Sequence, residues 1–153
     1  MDRLRYYEVV QRVAWLTGVA DRIGIPVVTE EDPEGNGHAE PAIGDRRPET
    51  AVILPKNAFS VCDNPDIAAA IDATGRNTMV LVGLETDICV AHSAIRLHEA
   101  GKRVVVAHDT TFSPAIAHER GLRRLAAQGI ETLSAKEVFY VLDPHQRARE
   151  RLP

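Results

Sequence analysis

A chain of 153 residues, 44% hydrophobic and 26% charged, has enough apolar material for one core, and residues 1–153 are read as a single domain. The net charge of −4, with acids and bases interspersed, gives no footing for nucleic acid or an anionic membrane. No apolar run reaches the roughly 18 residues of a membrane span, and no apolar signal region follows Met1-Asp2-Arg3-Leu4-Arg5.

Tyr6, Val9, Val10, Val13, Leu16, Thr17 and Ala20 recur at helical spacing and predict a first helix that ends near Gly24. Ile25 to Thr29 is expected as a short buried strand. Glu30 to Thr50 is rich in Gly, Pro and acids and is expected as a long loop, either a lid or substrate wall or plain solvated chain. Ala51 to Leu54 predicts a strand broken by Pro55. Asn64 as N-cap and Pro65 at the first helical position predict a helix to Ala73, closed by Gly75.

Thr78 to Val82 is the most strand-like segment of the chain. From Ile88 the pattern becomes helical through Val90, Ala91, Ala94, Ile95 and Leu97, ending at Gly101. Arg103 to Ala107 is expected as a strand, and Ser113-Pro114 as the opening of a helix to about Gln128. Gly129 to Thr132 is a short strand, and Ser134 caps a last helix. Arg147, Arg149 and Arg151 form a basic, solvated end. Alternating helices and apolar strands without period-2 patterning predict an α/β fold, three-layered and Rossmann-like, around a mostly parallel sheet buried on both faces.

In such sheets the ligand site lies at the carboxyl ends of the strands. That rule selects Gly83 to Cys89, His108 to Pro114, Pro55-Lys56-Asn57 and Thr29 to Asp32. With Thr86 or Asp87 as N-cap, Cys89 falls in the first helical turn, where backbone N–H groups and the helix dipole favour a thiolate. It reads either as a nucleophile or as a small buried residue at a helix start. Lys56 reads as a cation that holds that thiolate, or as a surface lysine after a proline.

Two cysteines make no disulfide framework, so Cys62 and Cys89 are expected as reduced thiols in a cytoplasmic protein, with Cys62 a packing residue. His92 and His98 are not spaced as a metal pair, and His38 near Glu34 and Glu40 shows no ligand pattern. Gly35-Asn36-Gly37 and Gly83 form no nucleotide fingerprint. No metal and no cofactor are expected.

Leu81-Val82-Gly83-Leu84-Glu85-Thr86-Asp87-Ile88-Cys89-Val90, with the strand Val104-Val105-Val106 and Asp109 downstream, resembles the isochorismatase-like cysteine hydrolase superfamily. Leu54-Pro55-Lys56-Asn57-Ala58-Phe59-Ser60 resembles its lysine motif, and Gly24 to Glu30 its second strand. The resemblance implies an Asp–Lys–Cys triad in which Cys89 attacks an amide-type carbonyl and forms an acyl-enzyme, with Lys56 stabilising the thiolate. It also implies a non-proline cis peptide near Leu84-Glu85, and an oxyanion held by the backbone N–H of Cys89 and of Glu85 or its neighbour.

The family's catalytic Asp ends a central strand that precedes the first helix. No apolar strand precedes that helix here, and Asp2 lies too close to it to stand at a strand end. The expectation is a slot in mid-sheet, belonging either to a chain whose N-terminus lies elsewhere or to a shortened protein with altered chemistry. The leading functional expectation is a metal-independent hydrolase of a C–N bond in a small-molecule substrate, working as a dimer or larger assembly. The rivals are a catalytically impaired binding or oligomeric scaffold and a redox thiol, the last weakened by the want of a nearby resolving cysteine. The family's nicotinamidase branch binds metal through Asp and His residues that have no match here.

Overall fold

The computed structural model describes residues 2–142; the basic end at Arg147, Arg149 and Arg151 lies outside them. Helix α1 (Arg3–Arg22) starts where the Asp2 side chain accepts from the Arg5 N–H at 3.2 Å, and it buries Val9, Val10, Val13, Ala14 and Leu16. It stops before Gly24, whose φ of 70° is a left-handed stop.

Strand β1 (Val28–Glu31) pairs in parallel with β2 (Val52–Pro55), placing Glu30 opposite Leu54 and Glu31 opposite Pro55. The first strand was expected to begin at Ile25; it begins at Val28, where its neighbour β2 starts to pair. β2 is not buried on both faces, as was expected of the sheet: Val52 is 40% and Ile53 50% exposed.

The segment after β1 has more order than a plain loop. Asp32 bridges to Gly37, and a short helix α2 (Pro41–Gly44) follows. Ile43 packs with Val9, Val13 and Phe112, while Tyr6 Oη donates to Glu40 at 2.8 Å. Glu31, 8% exposed, ties the segment together through His38 Nδ1 at 2.8 Å and Arg47 at 2.7 Å. The His38 hydrogen bond, with Arg47, holds the Glu31 carboxyl below the usual carboxylate range despite its burial.

A group with a lowered folded pKa contributes stability above its unfolded value and loses it as pH falls through the folded one. Glu31→Gln is therefore expected to cost about 2 kcal/mol at neutral pH, with the gap to the parent closing in acid below the ordinary carboxylate range. Urea midpoints at both pH values check this; a gap independent of pH would refute it.

Helix α3 (Pro65–Ala73) is capped as expected, by Asn64 accepting from the Asp66 N–H at 3.2 Å. Strands β3 (Thr78–Leu84), β4 (Arg103–Phe112) and β5 (Glu131–Leu133) form a parallel sheet in the order β3–β4–β5. β4 runs past Ala107, so His108 to Phe112 is strand rather than loop. Thr110 and Thr111 hydroxyls donate to the carbonyls of Ala107 and His108 at 2.7 and 3.3 Å, and the register jumps from Leu81↔Val106 to Gly83↔Thr111. This is a bulge, after which pairing resumes.

Helices α4 (Ala91–Glu99), α5 (Ala117–Ala127) and α6 (Ala135–Leu142) complete the layers. α5 starts later than Ser113, because Ala115 at φ 50° is left-handed and interrupts the helix. Ser134 caps α6 through a reciprocal pair, accepting from the Glu137 N–H at 3.2 Å while Glu137 accepts from the Ser134 N–H at 2.7 Å. Val104 and Val106 face α3, α4 and α5, whereas Val105 and Ala107 face α1 and α6. The alternation along β4 thus builds three layers.

The sheet is in two pieces. β1 pairs only with β2 and β3 only with β4 among the described residues, so each has a side without a ladder. On β3, Val82 and Leu84 are 38% and 43% exposed, more than an inner strand of a parallel sheet ordinarily is. Among the described residues no ladder joins the β1–β2 pair to the β3–β4–β5 sheet. No helix among the described residues is long and apolar enough to cross a membrane.

Candidate active site

The chain leaves β3 through a cis Leu84–Glu85 peptide and enters a π-helical turn, Thr86–Val90, before α4. The expected ordinary helix start is thus a wider turn. The Glu85 carbonyl accepts from Ile88 at 3.3 Å and from Val90 at 3.0 Å, and passes over Cys89 between them. Neither Thr86 nor Asp87 caps the turn; both side chains are drawn into the protein. Thr86 is fully buried and its Oγ1 shares a 2.9 Å hydrogen bond with His118 Nδ1. Burial pushes the His118 pKa down, so the ring sits there neutral at physiological pH. Ser113 Oγ donates to Asp87 Oδ1 at 2.6 Å and accepts from the Asp87 N–H at 3.4 Å.

Cys89, half-buried, stands on this turn. The turn lies directly on α5 at Gly121. A Cβ there would meet Asp87 Cα at 2.8 Å, Asp87 N at 2.9 Å and the Thr86 carbonyl carbon at 3.0 Å, all backbone. Gly121→Ala is expected to push α5 off the turn, cost about 1–3 kcal/mol, and slow Cys89 alkylation. Chemical denaturation and thiol labelling check it, and an unchanged pair of values would refute the close approach.

Lys56 arrives from the other half-sheet. Its N–H donates to the Glu31 carbonyl at 2.6 Å, continuing the β1–β2 ladder one step past β2. Its loop is held by Asn64, whose Nδ2 donates to the Pro55 carbonyl at 3.0 Å and to Asn57 Oδ1 at 3.2 Å. The Lys56 ammonium, 15% exposed, donates to Glu30 Oε1 at 3.1 Å and lies close enough to Cys89 to interact with its sulfur. Burial pulls the Lys56 pKa down; Cys89 and the Glu30 charge more than offset it, and the net shift is up. Lys56 is therefore an ammonium at the site throughout the neutral range.

The structure places the Lys56 ammonium within interaction range of Cys89. Glu85, exposed, precedes the turn. Asp2 is taken up by the cap of α1. Cys62 packs against the core of α3 and α4, and burial pushes its thiol pKa up. His92 stacks on Phe59 at 6.2 Å, and no group of three His, Cys, Asp or Glu that could hold a metal occurs among the described residues. Sequence reasoning missed Glu30 as the carboxylate on Lys56. The signal was the strand register: Lys56 stands two residues beyond the partner of Glu30, hence on the same face of the pair.

Parallel strands between two helical layers, with Lys56 and Cys89 at their carboxyl ends, define a three-layer α/β protein. The sequence model of the isochorismatase domain matches residues 8–137, and the chain belongs to the isochorismatase family. It is 31% identical over 142 residues to isochorismatase domain-containing protein 2B of Mus musculus, covering 90% of this chain and 65% of that one; it thus spans less than two thirds of that relative's length. It superposes with a TM-score of 0.79 and 27% identity on YcaC from Pseudomonas aeruginosa bearing hexane-2,5-diol and covalent acrylamide, over 94% of this chain and 71% of that one. The YcaC gene product of Escherichia coli, an octameric hydrolase of unknown specificity, gives a TM-score of 0.78 at 22% identity, over 93% of this chain and 74% of the other, a likeness of fold.

Proposed function

We propose that this chain is a hydrolase that cleaves the C–N bond of a small amide-type molecule through an acyl-enzyme on Cys89. The observation that carries this reading is the Lys56 ammonium, held by Glu30 and set against Cys89 at the carboxyl ends of both half-sheets. A fixed cation there favours the thiolate and opposes the charge that grows on a carbonyl oxygen. The backbone N–H of Cys89, with that of Glu85 or its neighbour, is the oxyanion site, such a donor being worth roughly 3 kcal/mol in rate. The P. aeruginosa relative, which carries covalent acrylamide, supports an amide-bearing ligand for this chain as well. The octameric relative supports a homo-oligomer. The reduced thiols fit a cytoplasmic setting. No metal or cofactor enters the scheme.

A second reading, an impaired family member acting as a binding or oligomeric scaffold, is favoured by the lack of a ladder between the two sheets among the described residues. A panel of small primary amides and ureido compounds separates the two. Release of ammonia, with an acyl adduct on the Cys89 peptide in mass spectra, supports the hydrolase. Ligand binding that survives Cys89→Ala without any adduct supports the scaffold.

A further inference from the structure

We propose that Ser93 is a positioning residue of this site. Its hydroxyl, by holding the Val61 N–H, fixes the Lys56 loop to α4, on whose leading turn Cys89 stands, and so sets the ammonium against the sulfur. This rests on the reading above, in which Lys56 is the counter-charge of a Cys89 thiolate.

Lys56 and Cys89 follow strands of separate sheets, and among the described residues no ladder joins the two. Their spacing is therefore left to loops and side chains. Beyond Lys56 the chain turns at Ser60, whose Oγ accepts from the Cys62 N–H at 3.2 Å, into a single tight helical turn, Val61–Asp63. As the first residue of that turn, Val61 has an N–H with no partner inside it. Ser93 Oγ accepts this N–H at 3.1 Å, and both residues are buried. Asn64, at the far end of the turn, carries the hold back to Lys56. Its Nδ2 bonds the Pro55 carbonyl and Asn57 Oδ1, on either side of the lysine.

Ser93 lies four residues beyond Cys89, about one helical turn on, and so shares its side of the helix. Two further contacts between the loop and α4 are weaker ties. Arg96 meets Asp63 at 3.4 Å with both side chains open to solvent, where an ion pair contributes little. The Phe59 and His92 rings stack at 6.2 Å, both exposed. Of the three, the Val61–Ser93 bond is the buried and directional one. Without the hydroxyl the Val61 N–H is buried unmet; the loop relieves this by shifting toward water, and Lys56 moves with it.

The test is iodoacetamide labelling of Cys89, read by peptide mass, at about pH 7 and about pH 10. The ratio of the two rates cancels a change in access and reports how far a neighbouring cation holds the thiolate at neutrality. Lys56→Met is expected to lower the ratio by about tenfold, and Ser93→Ala by about fivefold. In the double variant Ser93→Ala adds nothing to Lys56→Met, because Ser93 acts through Lys56. Ser93→Thr, which keeps the hydroxyl, is expected to hold the parent ratio. A merely structural Ser93 would lower the urea midpoint in Ser93→Ala and leave the ratio at the parent value, which overturns the proposal. So does a fall in Ser93→Thr as deep as in Ser93→Ala, or a further fall in the double variant. If Lys56→Met itself leaves the ratio unmoved, the reading of Lys56 as counter-charge fails, and the role of Ser93 with it.

Discussion

On the proposed covalent route, Cys89→Ala is expected to lower kcat/KM for an amide substrate by about 10⁴-fold or more, because it deletes the nucleophile. Steady-state assays check the loss, and intact mass checks that the acyl adduct disappears with it. Iodoacetamide gives a second measure that needs no substrate. At neutral pH it is expected to modify Cys89 well ahead of Cys62, whose thiol pKa burial raises and whose side chain lies against the core. Equal and slow labelling of the two cysteines would sink the nucleophile assignment. Cys89 has little packing to lose, being half-buried on a turn whose fixed points are Thr86, Asp87 and Val90. The variant should therefore unfold close to the parent midpoint, which separates lost chemistry from lost fold.

Lys56→Met carries the second large effect. It deletes the cation bonded to Glu30, so on the proposed route the thiolate and the developing oxyanion both lose their counter-charge. A fall of about 10²–10³-fold in kcat/KM is expected, the range seen when one stabilising group is removed from a preorganised site. Stability falls too, by about 1–3 kcal/mol, because the Glu30 carboxylate is left in place without its partner. The sign with pH is fixed by the raised Lys56 pKa. A raised cation contributes in full below its unfolded value, 10.5, and that contribution is lost only as pH rises through the folded one. The stability gap between parent and Lys56→Met should thus be flat across neutral pH and close in strong alkali. Lys56→Arg is the control: it keeps charge but presents a planar fork to a site built around a point ammonium, and should recover stability better than rate. A Lys56→Met enzyme with parental kcat/KM would remove Lys56 from the site.

The parts that the sequence made legible were those governed by local chemistry. Asn64-Pro65 starts a helix because a side-chain acceptor and a residue without an N–H both suit the first turn, and the structure has that helix over Pro65–Ala73. Thr78 to Val82 reads as the most strand-like segment, the structure has β3 over Thr78–Leu84, and the rule of carboxyl ends assigned Cys89 and Lys56 to one rim. What escaped depends on partners far along the chain. Nothing local says that β4 continues past Ala107, because the Thr110 and Thr111 hydroxyls must first fold a bulge into it. Nothing in the pair Glu30-Glu31 says which acid faces Lys56 and which faces His38 and Arg47; the β1–β2 register decides. Gly121 reads as an ordinary helical glycine until the Asp87 backbone is seen beside it. The exposure of Val52 and Ile53 on β2 is likewise something that no run of apolar residues encodes.

The divided sheet also carries an expectation for hydrogen exchange. Lys56 and Glu30 ride on one half, and Cys89 rides on the other, with no backbone ladder between β1 and β3 among the described residues. Helical layers and side-chain contacts bridge the two halves, and such seams open at lower free energy than a continuous ladder. In a deuterium-exchange time course, the amides of β1 and β3 on the sides that lack a ladder should label first, while the β3–β4–β5 interior stays protected. The nucleophile and its cation would then separate and rejoin on the clock of that seam, long before the molecule as a whole unfolds.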